Sequence, residues 1–190
     1  MRSKRIVLVS AIILCVACVV GYTVAYFTAE DKARNVITAG SLNIEVIEQQ
    51  KNEVGELTDY PEEPIQVLPG ANVSKIVTVK NLDADAFIRV KYNISVKDKD
   101  GNAIDFGDLV KVTSTNSDWV TDSDDGWLYY KAIVKSGEIT LPVIENVEFS
   151  TQMGNEYQGA TAEIDIIAQA VQAANNGEDV LKAEGWPEEK

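Results

Sequence analysis

The chain has 190 residues, 17 Lys and Arg against 30 Asp and Glu, and a formal net charge of −13. So acidic a surface repels nucleic acid and anionic lipid, and leaves polycations or divalent metals as more plausible partners, or simple solubility as its role. There is no histidine, and the only cysteines are Cys15 and Cys18, so Ser-His-Asp and Cys-His catalysis and histidine- or cysteine-based zinc sites have no residues to build on.

The chain starts with a basic head, Arg2, Lys4 and Arg5, followed by an apolar run over residues 6–20 that only Ser10 interrupts. Small residues close it at Thr23-Val24-Ala25, the pattern of an export signal cut between Ala25 and Tyr26. Residues 6–25 are also long enough to cross a bilayer, so a retained anchor with a cytoplasmic head is the alternative. A third reading, lipidation at Cys18, is poorly supported because Val19 and Val20 continue the apolar run. Cleavage removes both cysteines and three positive charges, taking the net charge from −13 to −16. The remaining chain has no disulfide and relies on its core, for which its length suffices as one domain.

Residues 26–41 are a mixed leader without a strong period. Residues 42–46 alternate apolar and polar, a half-buried strand. Residues 49–63 are polar, contain Pro61, and read as a loop. Residues 65–68 lead into the Pro69-Gly70 turn, and the β-branched run 73–80 is a strand. The clearest strand spans 87–97: Ile88, Val90, Tyr92, Ile94 and Val96 face one way, and Arg89, Lys91, Asn93, Ser95 and Lys97 the other, which predicts one buried and one wet face. It ends at a hairpin turn over 98–102, where Gly101 supplies a positive φ.

Residues 109–113 fit a short strand or a helix end. Residues 127–135 form an aromatic-rich strand, residues 140–141 and 143–149 strands around Pro142, and residues 161–171 the last long strand, with a helix over 164–174 as the alternative. The tail after Asn175 is acidic and carries Trp186 and Pro187. About eight short strands punctuated by turns, with no long helix beyond the signal, predict an all-β sandwich. Pattern alone leaves jelly-roll and immunoglobulin-like topologies open. The expected divisions are a signal helix at 1–25, a leader at 26–41, a sandwich domain at 42–175 and an acidic tail at 176–190.

Two acidic loops invite a metal reading. Around Asp98 and Asp100 the EF-hand register fails, since Val96 and Gly107 fall where carboxylates are required. Asp122, Asp124 and Asp125 read as a polar loop, with a calcium site as the alternative. Alternation places Trp127 and Tyr129 on one face and Leu128 and Tyr130 on the other; one pair is expected in the core, and the other is a covered surface or a carbohydrate platform. No metal, cofactor or catalytic residue is expected.

Several stretches occur together in one order: Ala25-Tyr26-Phe27-Thr28; Asn35-Val36-Ile37-Thr38-Ala39-Gly40-Ser41-Leu42; Leu68-Pro69-Gly70 before the 73–80 strand; Phe87-Ile88-Arg89-Val90; Gly126-Trp127-Leu128-Tyr129-Tyr130; Glu156-Tyr157-Gln158-Gly159; and Ala168-Gln169-Ala170-Val171-Gln172-Ala173-Ala174-Asn175. In this the chain resembles the TasA/camelysin family of secreted proteins of Gram-positive bacteria, whose signals are cut by the SipW-type peptidase. The resemblance implies a jelly-roll-like antiparallel sandwich and an extracellular-matrix or biofilm fibre subunit that polymerises head to tail by donor-strand exchange. The donor would run from Tyr26 to about Thr38, with Phe27, Val36 and Ile37 as the apolar residues to bury; the alternative is that this stretch pairs within its own subunit. Matrix or cell-wall components are further implied partners. Two rival readings are a monomeric cell-surface or accessory binding module using residues 122–130, and a camelysin-type metallopeptidase, which the missing histidines oppose.

Overall fold

The computed structural model describes the backbone of residues 35–38, and residues 42–61, 63–122 and 125–187. All of them fall within one compact unit, Arg34–Lys190. The expected signal segment at 1–25, with the Ala25–Tyr26 cleavage site, and Phe27 lie outside the described residues.

Eleven strands occur in chain order among the described residues: β1 (Asn35–Thr38), β2 (Ile44–Lys51), β3 (Leu57–Asp59), β4 (Ile65–Gln66), β5 (Asn72–Asn81), β6 (Ala86–Lys97), β7 (Val110–Thr113), β8 (Trp119–Thr121), β9 (Leu128–Tyr130), β10 (Ile144–Phe149) and β11 (Thr161–Gln172). They form two sheets. The first runs β1-β11-β6-β9-β8, with β4 also on β11; the second runs β3-β2-β5-β10-β7. From β5 onward the chain passes repeatedly between sheets, as a jelly-roll-like sandwich requires.

The core follows from period-two alternation. Ile88 and Val90 of β6 and Ala168 and Ala170 of β11 share one buried cluster with Ile44 and Val46 of β2, Val77 and Val79 of β5, and Ile144 and Val147 of β10. The alanines are fully buried in a strand, so the helical alternative over 164–174 is overturned. Twelve antiparallel pairs to β6 outweigh helix propensity there.

Other expectations change as well, among them the strand expected at 140–141, which does not form. The predicted loop at 49–63 contains the end of β2 and all of β3, paired at Gln49↔Asp59 to Lys51↔Leu57. Because β3 is exposed throughout, it shows no apolar alternation for a sequence to display. The predicted strand at 127–135 is only three residues long, Leu128–Tyr130, although Lys131 N–H still donates to Asp118 O at 2.9 Å in the register of the β8 pairing. At 109–113 both readings hold in part: a 3-10 turn over Gly107–Leu109 leads directly into β7.

The predicted wet face of β6 is dry at its N-terminal half. Phe87 is fully buried in a second apolar cluster on the outer side of the first sheet, with Trp127, Tyr129, Val171, Ala173, Val180 and Ala183. The last three come from beyond β11, so the segment after Asn175 packs as a strap across this face.

Candidate functional site

The outer edge of β11 is the first candidate feature. β1 lies on it in parallel, with Asn35 opposite Ile167, Val36 opposite Ala168, Ile37 opposite Gln169 and Thr38 opposite Ala170. Every other described strand pair is antiparallel. Nearer the start of β11, β4 takes the same edge at Thr161 and Ala162. Residues 39–43 then carry the chain from β1 in one sheet to β2 in the other. Val36 and Ile37 are thus brought to the edge of their own subunit's sheet.

One row crosses the first sheet: Ile37 on β1, Gln169 on β11, Arg89 on β6, Tyr129 on β9 and Val120 on β8. Arg89 is 9% exposed. Its Nε and Nη2 donate to Gln169 Oε1 at 2.9 and 2.6 Å, and its Nη1 donates to the Tyr129 hydroxyl at 3.1 Å. That hydroxyl donates in turn to Asp125 Oδ2 at 2.5 Å. The guanidinium carbon lies over the Trp127 ring, 4.2 Å from its centroid, and over the Trp186 ring, 4.6 Å from its centroid. Trp186 also meets Tyr129 edge-on at 5.7 Å. Burial, with the bond to Asp125, pushes the Tyr129 hydroxyl pKa up, against the opposing pull of Arg89. Gln169 is fully buried, and its Nε2 has no hydrogen-bond partner.

The strap that closes this cluster is self-braced. Asp179 accepts from Leu181 N–H at 3.2 Å, Asn176 holds Glu184 N–H at 2.8 Å, and Trp186 Nε1 donates to Ala183 O at 2.9 Å. In the other sheet, Lys75 is buried, lies 2.7 Å from Glu48 Oε2 and sits 3.9 Å above the Tyr60 ring. Burial, then the Glu48 charge, raises the Tyr60 pKa to about 12.

The other sequence candidates have structural duties. Trp127 and Tyr129 face the second cluster at 1% and 6% exposure, and Leu128 and Tyr130 pack on the main core, so neither pair forms an open carbohydrate platform. Asp125 is bonded to Trp127 N–H and Tyr129; Asp124 lies outside the described residues. Asp98 bonds the backbone of Asp100 and Asn102 in its own turn, and the bonds from Asn102 lead in lowering its pKa. The Arg89–Gln169 pair escaped sequence reading because both occupy outward positions of alternating strands. Trp186 in a polar tail was the available sign that something there is covered.

A family model described as camelysin metallo-endopeptidase matches residues 3–183. The chain belongs to the camelysin family. No curated protein and no solved structure matches it. The camelysin description implies a metal centre, and the residues present do not fit one. The chain has no histidine and no cysteine after Cys18, and among the described residues no three Asp or Glu come together in a way that could hold a metal.

Proposed function

We propose that this camelysin-family chain is a secreted, non-enzymatic subunit of an extracellular-matrix or biofilm fibre, released by a SipW-type signal peptidase and assembled head to tail by exchange of its N-terminal strand. The observation that supports this most is β1: four residues, parallel to β11, at the open edge of a sheet otherwise antiparallel. If β1 leaves, β11 presents its unpaired backbone groups as a template, and the same strand from a second copy satisfies them. Each recovered backbone bond is worth about 0.5–1.5 kcal/mol net. A donor strand that always enters the next copy gives a contact that does not close, and so a filament. Self and matrix or cell-wall components are the partners of this reading; nucleic acid and cofactors are not. A signal left uncut would instead keep the chain at the membrane.

The test uses the chain beginning at Tyr26, followed by light scattering and negative-stain microscopy over time and concentration. Filaments that disappear when residues 26–38 are deleted, while the remainder still folds, support the reading. A monomer that persists at high concentration sinks it. The monomeric binding or accessory module would then lead, since β1 pairing within its own chain leaves a closed single subunit.

A further inference from the structure

Gln169 Nε2 is the one buried side-chain polar atom without a partner among the described residues. Such orphans are rare in native structures and are costly to leave. Gln169 cannot relieve this by turning over. Its Oε1 accepts twice from Arg89, and a flipped amide would set N–H against N–H. The residue opposite Gln169 on the free-edge side is Ile37, a residue type with no acceptor in its side chain.

We propose that in the fibre the strand of a second copy of this chain pairs with β11 two residues further along than β1 does in its own chain, so that Asn35 stands opposite Gln169 and its Oδ1 accepts from Nε2. This rests on the strand-exchange reading above and specifies its register. A slip of one residue would reverse which residues face the core; a slip of two preserves the faces. Of the two such slips, the opposite one sets Ala39 against Gln169 and supplies no side-chain acceptor. The proposed slip also sets Ile37 against Val171 of the second apolar cluster, and Val36 against Ala170, as small and as buried as Ala168. Thr38 then meets Gln172, the last residue of β11, so all four strand residues remain paired. Within one chain, residues 39–43 tie the register of β1 to the position of β2. A strand donated by another copy carries no such tether to the sheet it enters.

The register can be read by disulfide trapping, because the chain from Tyr26 onward contains no cysteine. Thr38→Cys chains are polymerised with either Gln172→Cys or Ala170→Cys chains and mildly oxidised; paired strands lie within bridging distance. A single chain carrying both Thr38→Cys and Ala170→Cys, oxidised as monomer, serves as the control for a bridgeable pair. The expected result is an intermolecular bridge to Gln172→Cys and none to Ala170→Cys. Asn35→Val should raise the concentration needed for filaments about tenfold, equivalent to about 1.4 kcal/mol, and leave monomer stability unchanged. Bridging to Ala170→Cys instead overturns the shifted register while strand exchange stands. Filaments with neither bridge, or no filaments, overturn strand exchange and the register with it.

Discussion

Gln169 holds the Arg89 guanidinium through its carboxamide oxygen, taking both Nε and Nη2, where a buried arginine would ordinarily face a carboxylate. Among the described residues the nearest carboxylate in this network, Asp125, is reached only through the Tyr129 hydroxyl. On the outer face of β6 and β11 this neutral-to-cationic contact therefore lies against two indole rings, and nearer the other end of the same two strands Lys97 meets Glu163 at 3.1 Å.

Replacing Arg89 by Ala should cost about 2–4 kcal/mol, through a void between Trp127 and Trp186 and a Gln169 left without any partner. Urea unfolding measures it. Gln169→Glu should go the other way, gaining about 1 kcal/mol at neutral pH from a carboxylate on the guanidinium and loss of the orphan donor. Arginine would hold that carboxyl below the usual Glu value of about 4.3, so the gain should be present above that pH and fade as pH falls. An unchanged stability at pH 7 would argue against the described packing.

Trp186→Ala should detach the strap. The second cluster would then open to water, with a loss of about 2–3 kcal/mol and a red-shifted tryptophan emission from the newly wetted Trp127. Thermal unfolding followed by fluorescence separates this from a tail that merely lies on the surface, for which neither signal moves.

Lys75 and Glu48 form a pair whose halves are unequal to lose. Glu48→Ala leaves a buried ammonium and should cost about 3–5 kcal/mol, whereas Glu48→Leu combined with Lys75→Met should cost far less. A double-mutant cycle by denaturant unfolding gives the coupling.

Tyr60, with its pKa at about 12 in the fold against the ordinary 10.0, binds its proton more tightly when folded. Its contribution to stability is complete below pH 10 and is lost as pH rises from 10 toward 12. Tyr92, Tyr129 and Tyr157 are raised as well, each chiefly by burial, and add to the same alkaline limb. Tyr60→Phe should flatten that limb in a pH series of melting temperatures and leave the acid side unchanged.

What could be read in advance was whatever one strand shows by itself. β6 and β11 alternate over much of their length, so their inner faces were evident, although Phe87, Ile167 and Val171 lie on the outer face. β3 was hidden because its pairing to β2 is held by backbone bonds with no buried face. The burial of Arg89 was hidden because its cover arrives from the strap, some ninety residues downstream, and an outward arginine in a strand ordinarily means solvent. Of the expected donor residues, Val36 and Ile37 occupy a strand, but nothing in their spacing specifies whether the partner edge belongs to their own chain.

The short link over residues 39–43 has a kinetic side. A strand tethered so closely to its own sheet competes for β11 at an effective concentration in the millimolar range. An incoming copy of equal affinity loses that competition at ordinary protein concentrations. Growth by exchange would thus show a lag that preformed filament ends abolish, and lengthening the link with glycines should shorten the lag.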